Sequence, residues 1–399
     1  MMPVKSNAKI SRLMSEVAFD GRASILLPCL LTGGTEVATL ETALALSADG
    51  YKVEVIVYFN EIDPTMLNTF QAAGLAVHLL GVQRGGGLRS HWRLAMAMWG
   101  VLQRKRFDVI WVQYMTPTLL PLALARLLTP NLVAAVHVAS SHYSPSGLNR
   151  IRWLARHWCK RFVCVSRTVA DGIFGGPESD LRQAGRVVVI PNALDMGIMQ
   201  AATVMDWRAQ TGWPRDAVVI GFAGRLAHIK GVDVLLASVA DMHTKGLPIR
   251  LVIVGDGLER DDLESRARQL GISHITHFAG RLPRDTIFNA IKGFDIAAMP
   301  SRGGLEGFGL SALEAMAAGV PVVASRVDAL QEVVQDGITG LLCQVDDPQS
   351  LADALAKLVA DKALRQRMGA VGIAHATQHY DTPTYQARVS NLLIGLPRC

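Results

Sequence analysis

The feature that most restricts the fold is an alternation of short apolar runs, glycine-containing turns and helical patterns. Runs that are apolar throughout, rather than at every second residue, are typical of parallel strands buried on both faces. Helices between such strands cover the sheet. We therefore predict an α/β protein, with strands at 24–31, 52–59, 77–80, 109–112, 132–138, 161–165 and 187–190, and again at 217–222, 250–254, 275–278, 296–299, 320–324 and 340–342.

The strands fall into two series separated by the segment that follows Pro191. A chain of 399 residues also exceeds one ordinary domain and suits two. We predict two Rossmann-like, doubly wound domains facing across a cleft, at 1–195 and 196–375. The helical tail, 376–399, is expected to return to the first domain.

Hydropathy and cysteine content restrict the cellular setting. The chain has no run of about 18 apolar residues and no signal-type segment before its first strand, which disfavours membrane spanning and secretion. The five cysteines are an odd number without paired spacing, which favours free thiols over disulfides or a zinc site. We expect a cytosolic protein.

The positive charge of the chain is concentrated in its first half. Residues 1–195 carry 20 Lys and Arg against 13 Asp and Glu, whereas residues 196–399 carry 20 against 21. A basic surface can meet anionic lipid, a phosphorylated acceptor or nucleic acid. Nucleic acid is disfavoured because no reading motif accompanies the charges.

One basic segment has two interpretations. Residues 149–162 have helical periodicity, and the side opposite the apolar stripe carries Arg152, Trp153, Arg156 and Lys160. The first interpretation is a sheet-covering helix with a solvated face. The second is a patch that binds an anionic membrane surface, since Trp and Arg suit the headgroup layer, so that the protein would lie on the inner face of the membrane.

The segment 295–324 contains the strongest candidate site. A strand at 296–299, a glycine-rich loop at 300–309 and a helix at 312–318 surround Glu306 and Glu314. In parallel sheets, ligands bind where a strand ends and a helix begins. Carboxylates there can accept hydrogen bonds from vicinal hydroxyls. The alternatives are a capping box between Ser311 and Glu314, and a merely solvated Glu306.

A second strand-to-helix loop carries Arg225 and Lys230 between two glycines. Two cations at this spacing fit a diphosphate, although ordinary surface charges would look the same. No dinucleotide fingerprint follows a first strand and the P-loop pattern is missing, which disfavours nicotinamide, flavin and P-loop chemistry. His137 ends a strand, where a structural role is the alternative, and His142 and Tyr143 follow in the next loop.

These pieces closely resemble one family, the retaining GT-B glycosyltransferases of glycosyltransferase family 4. The resemblance covers nearly the whole chain and is looser before residue 190. It is carried by LTGGTE at 31–36, CVSRTVADGI at 164–173, VIPNALD at 189–195, FAGRLAHIKGVDVLLAS at 222–238, LVIVGDG at 251–257, FAGRL at 278–282 and EGFGLSALEAMAAGVPVVAS at 306–325.

The resemblance implies a role for each matching position. Arg225 and Lys230 would neutralise the diphosphate, Glu314 would hold the ribose, and Glu306 and His137 would contact the donor sugar. Arg281 would lie beside the base, and His142 and Tyr143 would face the acceptor. Backbone N–H groups of the helix-start loops would contact sugar and phosphate, at Gly33, Gly34, Phe308, Gly309 and Leu310.

The implied activity is retaining transfer of a hexose from a nucleotide sugar to a hydroxyl of a lipid-linked or polysaccharide acceptor, as in lipopolysaccharide biosynthesis. UDP-sugars are the first expectation and GDP-sugars the second. No Asp-x-Asp motif follows a strand, so we expect no cofactor and no metal. The alternatives are a noncatalytic sugar-nucleotide sensor or assembly protein, and a glycoside phosphorylase on the same scaffold.

Overall fold

A computed structural model describes residues 21–31, 33–113, 119–304, 306–327, 329–394 and 396. Its contacts divide the chain into two compact units. The first comprises residues 1–135, 153–163 and 386–399, and the second comprises 136–152 and 164–385. The domain boundaries at 195 and 375 stay a prediction.

The first sheet has seven strands in the order β3-β2-β1-β4-β5-β6-β7. The pairings of β1 with β2 and β4, of β2 with β3, and of β4 with β5 are parallel. Strands β4 and β5 are buried at every residue, as the continuous apolar runs predict. The strands are β1 Gly21–Leu27, β2 Tyr51–Phe59, β3 Ala76–Val82, β4 Val109–Gln113, β5 Leu132–Val136, β6 Arg161–Cys164 and β7 Val187–Val189.

Helices follow most of these strands. They are α1 Gly34–Ala48, α2 Pro64–Ala72, α3 Leu88–Leu102, α4 Leu120–Leu128, α5 Pro145–His157, α6 Arg167–Phe174, α7 Asp180–Gln183, α8 Met196–Ala201 and α9 Trp207–Thr211, with a 3₁₀ turn at Ser140–His142. The predicted helix at 149–162 is wrong at its end, because α5 stops at His157 and Phe162 lies on β6. Phe162 is buried by the sheet rather than by the helix stripe.

The second sheet lies wholly in the second unit and has the order β10-β9-β8-β11-β12-β13. All five of its pairings are parallel. Its strands are β8 Val218–Ala223, β9 Ile249–Val254, β10 Thr276–Gly280, β11 Ile296–Met299, β12 Val322–Ser325 and β13 Gly340–Cys343. The chain builds outward from β8 through β9 to β10, then returns to the centre at β11. The strand order therefore reverses between β8 and β11, where open α/β sheets bind ligands.

The helices that follow β8 in the chain are α10 Val232–Thr244, α11 Arg260–Gln269, α12 Arg284–Lys292, α13 Leu310–Ala317, α14 Leu330–Val333, α15 Pro348–Ala360, α16 Lys362–Tyr380 and α17 Thr382–Leu393, with 3₁₀ turns at His228–Lys230 and Ser273–Ile275. One core joins α10, α15 and the sheet through residues such as Leu235, Ile253 and Leu355, all fully buried. This core holds the strand ends in place, and the loops after β8 and β11 extend from them.

Candidate functional site

The loop from β11 to α13 ends at a glycine with a left-handed backbone. Gly309 has φ 91° and ψ 49° and is the N-cap of α13. This backbone conformation favours glycine, and a β-carbon here would lie 2.6 Å from Cδ2 of Leu330, whose side chain would have to shift. Ser311 lies inside the first turn instead of capping it, which makes the capping-box interpretation of Ser311 and Glu314 wrong. Glu314 is 8% exposed on the body of the helix.

The loop from β8 to α10 also ends at a left-handed glycine, and it packs on the first loop. Gly231 has φ 65°, and a β-carbon there would lie 2.1 Å from the carbonyl oxygen of Pro300. The Arg302 N–H donates to the carbonyl of Ile229 at 2.8 Å. Each loop therefore holds the other in position at the point where the strand order reverses.

Lys230 and Glu306, one from each loop, form an ion pair. Nζ of Lys230 donates to Oε2 of Glu306 at 2.6 Å, and both side chains are largely shielded, with 26% and 15% exposed. The hydroxyl of buried Ser301 donates to the same carboxylate oxygen at 3.3 Å. Lys230, Ser301, Glu306, Gly309 and Ser311 line one small cavity. Two residues predicted to bind opposite parts of a donor thus lie side by side.

Arg225 is exposed and makes no hydrogen bond or ion pair within the described parts of the chain. Arg281 is exposed directly after β10. Phe308 is 5% exposed, and its ring packs edge-on against Tyr380 at 5.5 Å between centroids. Leu310 begins α13. Phe308 therefore anchors the loop, and its predicted ligand contact is limited to its backbone.

Sequence reasoning missed Arg302, which locks the loop that carries Lys230. Its guanidinium donates to both carboxylate oxygens of Asp233 at 2.8 and 2.7 Å, and to the carbonyl of His228 at 2.6 Å. Its Nε donates to Asp346 at 2.5 Å. Burial acts to raise the pKa of Asp233, but the hydrogen bonds and charge of Arg302 hold that pKa below its ordinary value. An arginine after a strand is common, so only the folded contacts single it out.

His137 follows β5, and its segment belongs to the second unit. A β-carbon on Gly307 would lie 1.9 Å from the His137 carbonyl oxygen. The Ser141 hydroxyl donates to the carbonyl of Gly304 at 2.9 Å. Desolvation lowers the pKa of His137 to about 4, so its imidazole is neutral at pH 7. His137 is thus close to the glutamate loop through its backbone.

The predicted acceptor-side residues follow His137 in the chain. His142 is exposed and Tyr143 is half-buried, with their rings edge to face at 5.3 Å between centroids.

Glu332 is a second residue that sequence reasoning missed. Its carboxylate accepts hydrogen bonds from the N–H groups of Arg167 and Thr168 at 2.9 and 2.5 Å, at the start of α6.

In the first unit, Gly33 is the N-cap of α1 and Gly34 is its first residue, exposed and with open space around it. The Glu36 side chain is buried there, and its Oε1 accepts a hydrogen bond from the Leu31 N–H at 3.3 Å. A carboxylate therefore already lies at this helix start. The predicted contact of Gly33 and Gly34 with a diphosphate stays a prediction.

The proposed membrane patch on α5 is partly engaged in packing. Nε of Arg152 donates to the carbonyl of Ile173 at 2.5 Å. Trp153 is 47% exposed, with its ring 5.1 Å from that of His157. Arg156 is exposed on the helix, and Lys160 is exposed but lies beyond its end, so its predicted place on the helix is wrong. Among the described residues, no helix is both long and apolar enough to cross a bilayer.

The cysteines of the described residues are dispersed along the chain. The described cysteines, Cys29, Cys159, Cys164 and Cys343, form no disulfides, and Cys399 lies outside the described residues. The described residues contain no group of three or more His, Cys, Asp or Glu side chains placed to hold a metal ion.

Two family models match consecutive stretches of the chain. Residues 32–197 match Glycosyltransferase Family 4, and residues 204–375 match Glycosyl transferases group 1. The chain belongs to the family 4, group 1 glycosyltransferases, and its fold is GT-B. The resemblance and the fold class predicted from sequence are both confirmed.

Curated relatives match over shorter stretches. The chain is 42% identical over 179 residues to a D-inositol 3-phosphate glycosyltransferase of Corynebacterium urealyticum, covering 43% of this chain and 42% of that one. It is 34% identical over 225 residues to the protein of that name from Actinosynnema mirum, covering 54% and 53%. The chain thus spans about half, or less, of the length of the curated relatives it matches.

Solved structures match over nearly the whole chain. HepE of Anabaena, in complex with UDP and glucose, superposes with a TM-score of 0.77 at 24% identity, covering 94% of this chain and 99% of that one. Sucrose-phosphate synthase of Thermosynechococcus elongatus gives 0.79 at 20% identity, with the same coverage. At these identities the likeness establishes the fold.

Proposed function

We propose that the chain transfers a sugar from a nucleotide diphosphate sugar to an acceptor hydroxyl. The observation that carries this proposal is the Lys230–Glu306 pair. It joins the loops after β8 and β11, where the strand order of the second sheet reverses. A cation suited to phosphate and a carboxylate suited to sugar hydroxyls are adjacent there. A donor, in which phosphate and sugar are adjacent, presents the groups that complement this cation and this carboxylate.

The reaction breaks the bond between the anomeric carbon and the diphosphate oxygen and forms one to the acceptor oxygen. As the first bond weakens, negative charge grows on the diphosphate. Lys230 and exposed Arg225 bind that charge more strongly as it grows, which lowers the barrier. The acceptor proton passes to the departing diphosphate on the same face, so the anomeric configuration is retained.

This route assigns leaving-group stabilisation to side chains and helix starts and needs no metal. Neutral His137 suits a hydrogen bond to a sugar hydroxyl, since it brings no charge to the anomeric carbon. Glu314, buried on α13, is assigned to the ribose, and Arg281 to the base. The acceptor-side assignment of His142 and Tyr143 rests on their place after β5.

UDP-sugars are the preferred donors. The solved structures of HepE from Anabaena contain UDP in one case and UDP-glucose in another, which supports uridine over guanosine. A lipid-linked or polysaccharide hydroxyl is the proposed acceptor. The relatives named for inositol 3-phosphate make a phosphorylated polyol the first alternative to assay.

The test is a thermal-shift panel of UDP, GDP and their sugars, followed by donor turnover with candidate acceptors. A bound donor raises the melting temperature because it binds only the folded state. Binding with no transfer and no donor hydrolysis would favour a noncatalytic sensor. Transfer that requires inorganic phosphate would favour a phosphorylase.

A further inference from the structure

Helix α3 of the first unit has two apolar faces, and only one is buried. Leu94, Met98 and Leu102 are almost fully buried. Another four apolar side chains, at spacings of four, four and three residues, form one stripe on a different face. Their exposed fractions are 90% for Leu88, 68% for Trp92, 54% for Met96 and 37% for Trp99.

The exposed stripe continues toward α4. A groove of about 620 Å³ is lined by Leu88, Arg89, His91, Trp92, Arg93, Ala95 and Leu120. Leu127, further along α4, is 76% exposed. Two tryptophans, a methionine and a leucine grouped on one helix face are unusual for a face that meets only water.

The part of the chain that contains this stripe is strongly basic. Residues 64–170 contain thirteen Lys or Arg and a single acidic residue, Asp108. Lys105 and Arg84 pair with Glu54 and Glu61 of β2 and the loop after it. Four arginines are exposed and have no acidic partner in the described parts of the chain: Arg89, Arg93, Arg104 and Arg106.

We propose that the exposed stripe of α3, with the adjoining end of α4, binds the surface of an anionic lipid bilayer. Leu88, Trp92 and Met96 enter the boundary between headgroups and acyl chains. Arg89 and Arg93, beside the stripe, contact lipid phosphates. This surface is distinct from the α5 patch, and vesicle binding does not depend on the proposed transfer reaction.

The positive charge of this surface favours a bilayer over a second copy of the chain as its binding partner. In a two-fold dimer the same surface meets itself, so the basic surface around Arg89 and Arg93 would meet a second basic surface. A bilayer containing anionic lipid supplies both the apolar layer and the opposite charge. Each exposed arginine then adds to the attraction, which weakens with salt.

The test is sedimentation of the full chain with vesicles of phosphatidylcholine alone and with phosphatidylglycerol added, without nucleotide. We expect binding only to the second kind. Trp92→Ser, and separately the pair Arg89→Gln and Arg93→Gln, should each weaken it by roughly tenfold or more. Unchanged melting temperatures would show that these variants fold.

Two matched controls separate this surface from others. Leu258→Ser removes a side chain exposed elsewhere, in the second unit, and should leave vesicle binding unchanged. Trp153→Ser tests the α5 patch and should have little effect. The proposal is overturned if the protein does not prefer anionic vesicles, or if Trp92→Ser binds them as well as the wild type does. It is also overturned if Trp92→Ser abolishes self-association of the protein and leaves vesicle binding unchanged.

Discussion

The α-carbon of Gly307 faces the carbonyl oxygen of His137 so closely that a methyl group would lie 1.9 Å from it. Neither group belongs to a flexible side chain, so Gly307→Ala must displace the loop that carries Glu306. We expect a loss of about 1–3 kcal/mol in the free energy of unfolding, measured with urea. Weaker nucleotide binding should accompany it.

Gly100→Ala is the matched control, because a β-carbon there has open space on α3. It should be neutral or stabilise by up to about 1 kcal/mol. Equal stability of Gly307→Ala and wild type would show that this close approach does not persist in solution.

Lys230→Ala tests the cation of the proposed diphosphate site. If Lys230 binds charge that grows as the donor bond breaks, turnover should fall by roughly 10² or more. Steady-state kinetics with the preferred donor measures this. The control is Lys245→Ala, which removes an exposed lysine paired with Asp241 at 2.6 Å. Wild-type turnover in Lys230→Ala would refute the assignment.

Arg302 is predicted to act as a positioning residue for Lys230. Arg302→Lys keeps the charge but cannot reproduce the two-pronged contact with Asp233 together with the bond to His228. We expect Arg302→Lys and Arg302→Ala to lower kcat roughly tenfold, since misplacement is costly for catalysis.

A purely structural Arg302 would change the unfolding free energy and leave the kcat of the folded enzyme unaffected. Arg326→Ala, which breaks an exposed pair with Asp336, should leave both nearly unchanged. The kinetics are therefore measured well below the melting temperature of each variant.

Acid should destabilise the fold through His137. Its pKa is about 4 in the fold, against about 6.5 when unfolded, so between these values only the unfolded chain binds the proton. Stability is therefore complete above about pH 6.5 and falls as the pH drops toward 4, by about 3 kcal/mol in total.

Urea midpoints of wild type and His137→Gln, from pH 7 to pH 4.5, test this. The wild type should lose stability more steeply than the variant. His277 and His375, whose pKa values are also lowered by burial, contribute the same sign to both proteins. Parallel curves would contradict a depressed pKa at His137.

Local sequence patterns predicted most of the architecture. Continuous apolar runs predicted both sheets, and the strand, glycine loop and helix around Glu306 appear as expected. These patterns failed where the structure is determined by a contact between residues that are distant in sequence. Helical periodicity could not end α5 at His157, because Phe162 satisfies both a helix stripe and a buried strand.

Local sequence patterns were limited in the same way at the candidate site. Arg225, Lys230 and Glu306 were predicted as separate ligand contacts, yet nothing local indicates that Lys230 and Glu306 pair across 76 residues. Arg302 was missed because its role depends on Asp233, His228 and Asp346, which meet only in the folded chain. The predicted roles of these residues toward a donor stay proposals.

Because Lys230 already has an anionic neighbour, an arriving nucleotide does not capture a bare cation. Under the proposed function it enters an exchange, in which phosphate takes over the ammonium of Lys230 and a sugar hydroxyl takes over the carboxylate of Glu306. The ammonium then keeps an anionic partner, whereas the carboxylate exchanges a charged partner for a neutral hydrogen-bond donor. Affinity for free nucleoside diphosphate, which lacks the sugar, should then fall short of affinity for the intact donor, because only one side of the exchange is completed.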